Sequence, residues 1–149
     1  MINIEVVGGT KKQRELAESL AYFCVQKLMP KKKTLDVTIT LKRLNNALGW
    51  CLWETNAEFS VDIEKKQSLR RLLETVAHEM VHVKQYATGE LYESTAQGKH
   101  RWQGKWLKKD PDYYDLPWEI EAHGREVGLF ITWAEAEGHA DKEWAQDPY

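Results

Sequence analysis

The chain has 149 residues, with 21 basic and 23 acidic side chains and a formal net charge of -2. That length suits one domain with a proper core, and the near-balance of charge argues against a dedicated nucleic-acid binder. The two cysteines, Cys24 and Cys51, form no C-x-x-C pair, which excludes a zinc ribbon and a secreted disulfide framework.

In chain order, Ile2, Ile4 and Val6 alternate with polar residues, which predicts a short strand ended by Gly8-Gly9. Thr10 and Gln13 have capping-box form, and a helix is expected to about residue 28, with Leu16, Leu20, Phe23 and Leu28 on its inner face. Met29-Pro30 and three lysines end it. Leu35, Val37, Ile39 and Leu41 alternate with polar partners, a half-buried strand. Asn45-Asn46 begins a turn, and two more strands are expected over about 48–54 and 58–63, the three forming an antiparallel meander. A second helix is expected over about 67–87, with Leu69, Leu72, Leu73, Val76, Met80, Val83 and Ala87 as its apolar stripe. Residues 88–116 lack a long periodic segment, though Gln103-Gly104 could turn a small hairpin. A last helix is expected over about 117–137, with Pro117 in its first turn. The fold class is therefore α+β, with a mixed, mostly antiparallel sheet in one domain over residues 1–137. Residues 138–149 are set aside as a polar, frayed tail. Residues 1–5 show no basic stretch leading into an apolar one, and no run reaches the length of a membrane span. The expectation is a cytoplasmic, soluble monomer with no membrane partner.

His78-Glu79-Met80-Val81-His82 lies inside the second helix. Histidines four apart on a helix are one turn apart and can converge on one ion, with the intervening glutamate leaning over the same spot. This is the spacing of a zinc site with a general base, and on a helical wheel His78 and His82 fall nearly opposite the apolar stripe. An H-E-x-x-H match arises by chance in about one chain of this size in several hundred. Its placement on an amphipathic helix, off the core face, weighs further against coincidence. Gln85 lies on the same side. A catalytic zinc needs a third protein ligand, and His100, Glu119, Glu121, His123 and Glu126 are the candidates. Glu119 and Glu121 point in nearly opposite directions, so both cannot face one ion. Glu119, His123 and Glu126 form one stripe, and Glu121 could simply pair with Arg125. Ile120, Val127, Ile131 and Ala134 on one flank, and Trp118, Ala122, Leu129 and Trp133 on another, predict a largely buried helix.

With these motifs the chain resembles small gluzincin-type zinc metallopeptidases, including the minigluzincin and ImmA/IrrE-like groups, which imply a zincin-like domain. Their later motif is E-x-x-A followed by Asp or Asn, and Glu119-Ile120-Glu121-Ala122-His123 is similar to it, with His123 in the Asp/Asn place. The resemblance implies His78, His82 and Glu119 as ligands of Zn2+ and Glu79 as general base. It also implies a protein or peptide substrate, with a strand, here the one near 58–63, lying along the cleft. Tyr113, Tyr114, His100 and His123 are candidates to stabilise the oxyanion; Tyr114 and His123 are put forward with Glu79 as the catalytic set. Residues 116–122 are also similar to a segment of phage and bacterial SprT-like proteins, which use a later histidine as third ligand, here His100. That likeness implies an alternative: a protease acting near DNA, with Lys99, Arg101, Lys105, Lys108 and Lys109 beside Trp102 and Trp106 as the contact. A metal-bound but non-proteolytic interaction domain is the other alternative.

Overall fold

The computed structural model describes residues 1–146. Strand β1 (Ile2–Gly8) leads into helix α1 (Lys11–Leu28), followed by β2 (Leu35–Lys42), β3 (Gly49–Thr55) and β4 (Glu58–Glu64). Helix α2 (Leu69–Ala87) follows, then short strands β5 (Leu91–Ser94), β6 (Lys99–Trp102) and β7 (Lys105–Trp106). A 3-10 turn (Tyr113–Asp115) leads into α3 (Pro117–Ala136), and α4 (Glu143–Gln146) ends the described chain. The domain is α+β with a mixed sheet, as composition and periodicity suggest.

Local chemistry accounts for the helix starts. The Thr10 hydroxyl accepts from Gln13 N–H at 3.1 Å while the Gln13 side-chain oxygen Oε1 accepts from Thr10 N–H at 2.9 Å, a closed capping box. Ser68 caps α2 by accepting from Arg71 N–H. Pro117 opens α3, where its missing N–H is not needed.

The main sheet has the order β1-β2-β4-β3. β1 and β4 both run parallel to β2, and β3 pairs antiparallel with β4 alone. This corrects the expected meander: β4 is inserted between β2 and β3. Its inward side chains explain the placement, since Phe59, Val61 and Ile63 are all buried, whereas the Cys51 and Trp53 side of β3 is half-buried and Trp50 and Leu52 are exposed. The strand with the fuller apolar face takes the interior position. β4 is thus paired on both edges, and the strand with a free edge beside α2 is β3 rather than the 58–63 segment.

α2 is the axis of the molecule. It packs against α1, α3, β3 and β4, and its residues from Leu72 to Val83 are buried without a break. Its stripe of Leu72, Leu73, Val76, Met80 and Val83 shares one core with Leu20, Cys24 and the inner sheet face, and the helix also packs against α3. α3 buries Trp118, Ala122, Leu129, Phe130, Trp133 and Ala134. Its other flank departs from expectation: Ile120 and Ile131 are exposed, because α3 is partnered on one side only. Within the stretch set aside as a tail, α4 lays Trp144 against Phe130 and His139 and buries Ala145; residues 147–149 lie outside the described residues. Among the described residues, no helix is long and apolar enough to cross a membrane.

Candidate metal centre

The helical spacing of His78 and His82 puts both imidazoles on the side of α2 that faces α3. His78 Nε2 lies 3.1 Å from one Glu119 oxygen, and His82 Nε2 lies 3.1 Å from the other. All three side chains offer a ligand atom within 4.8 Å of the others. Two imidazole nitrogens and a carboxylate form a donor set that suits zinc, and three protein ligands would leave a further position for water. The residues therefore fit the ion that the motif implies.

The electrostatics point the same way. Burial disfavours the charged form of His78, but hydrogen bonding to Glu119 and Glu126 and the charge of Glu79 outweigh it and push its pKa up to about 10. His82 is opposed by burial and raised by Glu119 and Glu79 in the same way. Burial favours the neutral Glu119, yet hydrogen bonds from both histidines hold its carboxyl well below the usual carboxylate range. Protonated imidazoles or a divalent ion would each meet the positive-charge demand of these carboxylates.

Glu79 is 5% exposed and lines the same cleft. Burial raises its pKa, against the opposing charges of His82 and His78. The opposite wall is the start of β3, where Gly49 touches it. A Cβ on Gly49 would sit 2.9 Å from Glu79 Oε2 and 3.0 Å from Thr75 Cγ2. The cleft has a volume of about 620 Å³ and runs between residues 46–51 and the Tyr113–Glu126 side, within the range of binding pockets. Cys51 lies on its floor as a neutral thiol, because burial and then the charge of Glu79 raise its pKa.

Around the His78–His82–Glu119 triad, the stripe Glu119–His123–Glu126 is realised. Glu126 Oε1 lies 2.8 Å from His123 Nδ1 and 3.6 Å from His78 Nδ1. Tyr113 donates its hydroxyl to Glu119 Oε1 at 2.9 Å, and that hydroxyl is 3.2 Å from His123 Nε2. Tyr114 lines the cleft but is 78% exposed, and its contacts are ring contacts with Tyr113 and His123. The tyrosine hydroxyl that reaches the Glu119 carboxylate is Tyr113's.

Glu121 points away from the triad, to Lys84 (2.8 Å) and Arg125 (3.0 Å). His100 also stands apart. Its Nδ1 is 2.8 Å from Asp110, its Nε2 is 3.8 Å from Glu93, and its ring packs on Trp118. Arg101 lies over the rings of Tyr92 and Trp106 on the short hairpin. Gly49 was not legible in the sequence as a site residue, since a glycine opening a strand has no local signature of what will dock against it. No family model, curated protein or solved structure matches the chain.

Proposed function

We propose that the chain is a zinc-dependent metallopeptidase of gluzincin type, with a zincin-like fold, acting on a protein or peptide. One observation carries the reading: two imidazole Nε2 atoms converge on the two oxygens of Glu119 at 3.1 Å each, at a cleft lined by the buried carboxylate of Glu79. Zinc held by His78, His82 and Glu119 would supply a Lewis acid and bring the pKa of water toward neutrality. Glu79 takes the proton of the attacking water on its carboxylate and returns it to the leaving amine; its raised pKa suits both transfers. The Tyr113 hydroxyl, freed from Glu119 when that carboxylate turns to an ion, would donate to the developing oxyanion, with His123 beside it to hold its orientation. The free edge of β3 provides main-chain groups for an extended substrate.

The test is metal content together with cleavage of an unfolded protein. Glu79→Gln is expected to keep zinc and to lower cleavage by about 100- to 10,000-fold. Glu119→Ala is expected to lose both. Undiminished cleavage by the Glu79→Gln protein would sink the proposal. One observation favours a second property, nucleic-acid contact: exposed Tyr92 and Trp106 flank Arg101 on the hairpin. A salt-sensitive mobility shift with single-stranded DNA, lost in Trp106→Ala, would support it, and no shift at low salt would remove it.

A further inference from the structure

Behind the cleft lies a fully buried side chain that the mechanism above does not use. Gln85 follows His82 by three residues on α2 and is 0% exposed. A buried primary amide has two N–H donors and one acceptor oxygen, and each unpaired group is costly. Two acceptors lie at one end of the amide: the Trp118 carbonyl oxygen and Glu121 Oε1, each at 2.9 Å. Neither donates: the first is a backbone carbonyl, and the Glu121 carboxylate itself accepts from Lys84 at 2.8 Å and Arg125 at 3.0 Å. The amide nitrogen must therefore be at that end, with both of its protons engaged.

The amide oxygen then faces His82 Nδ1 at 2.8 Å. Since that oxygen only accepts, Nδ1 must carry a proton, which leaves Nε2, the atom that meets Glu119, as the one nitrogen of His82 that can give its lone pair to an ion. Trp118 immediately precedes Glu119, so the same amide also ties the first turn of α3 to the His82 turn of α2.

We infer that Gln85, oriented by Glu121 and the Trp118 carbonyl, is the positioning residue that holds His82 in its Nδ1–H tautomer and aligns the Glu119 turn with it. This inference rests on the metal-site reading above. The two ligand histidines are thus held differently: His78 has the carboxylate of Glu126 near its Nδ1, and His82 has a neutral amide. Glu121, excluded as a ligand by geometry, acts at one remove through Gln85.

The experiment has two arms on the full chain. In the zinc-loaded unsubstituted protein, a long-range proton–nitrogen NMR spectrum is expected to show His82 protonated at Nδ1 and ligating through Nε2. In Gln85→Leu, zinc affinity measured against a chromophoric chelator is expected to fall about 10- to 100-fold. Glu121→Ala should weaken zinc in the same direction by a smaller factor. His82 ligating through Nδ1 overturns the inference, and this arm needs no variant that might fail to fold. Unchanged zinc affinity in folded Gln85→Leu also overturns it while leaving the metal site standing. Failure of the unsubstituted protein to bind zinc at all overturns the metal-site reading itself.

Discussion

Gly49 contributes no side chain, and the position of Glu79 depends on that. With an added Cβ only 2.9 Å from the Glu79 carboxylate, either the carboxylate or β3 must move. On the proposed metallopeptidase reading, Gly49→Ala is therefore expected to keep full zinc stoichiometry while lowering kcat/KM by about 100-fold, the scale of a 1 Å misplacement of a reacting group. Activity within twofold of the unsubstituted protein would show that Glu79 has slack. Other assignments also turn on single atoms. Glu119 and Glu121 are two apart on α3, yet one meets both histidines and the other meets Lys84 and Arg125. Tyr113 and Tyr114 are adjacent, and the hydroxyl of the first reaches Glu119. The helical wheel could separate the two glutamates into opposite directions. The two tyrosines lie in a 3-10 turn with no period to orient them.

The β6–β7 hairpin is an element whose geometry its residues dictate. Gln103 and Gly104 have φ of 49° and 83°, the two left-handed positions of a type I′ turn, whose twist matches the flanking strands. Nothing lies within 4 Å of a Cβ built on Gly104, so a substitution there tests backbone conformation alone. Gly104→Ala is expected to cost about 1 kcal/mol of stability by denaturant unfolding while zinc affinity stays unchanged. An unaltered unfolding midpoint would mean that the turn carries no conformational cost. The main sheet behaves differently. The alternation in β2, β3 and β4 identifies each as a strand, but alternation states which face is buried and not which strand is the neighbour. The insertion of β4 next to β2 followed from the competition of apolar faces for the interior. It also made β3 the edge strand that forms the cleft wall.

Across the whole molecule, the crossover from β2 to β3 must span the slot occupied by β4, and Glu64 pins it. Its carboxylate accepts from Leu44 N–H at 2.8 Å and Lys66 N–H at 2.9 Å and lies 3.1 Å from Arg43 Nε. Those two backbone donors, and then Arg43, hold its pKa below the ordinary value. A pKa depressed by folding adds stability that is complete above the unfolded-state pKa and is lost as pH falls through the folded one. The stability gap between the unsubstituted protein and Glu64→Gln should therefore be widest near neutral pH and close in acid, below the usual carboxylate range. Denaturant unfolding at several pH values would measure it, and a gap that persists in strong acid would refute the ionised clamp. The sequence was sufficient for whatever residues a few positions apart arrange among themselves: the capping box, the helices, the tight turn, and two histidines one turn apart with a glutamate between them. Glu119 was named only through a resemblance, and local sequence was not sufficient for its meeting with the histidines, the wall against Glu79 or the amide behind His82. His78 and Glu119 are 41 residues apart, and Gln85 and Glu121 are 36 apart. Their meeting depends on how α2 and α3 dock and on which strand lies at the sheet edge. Those outcomes come from the packing of whole apolar faces, which local periodicity does not encode.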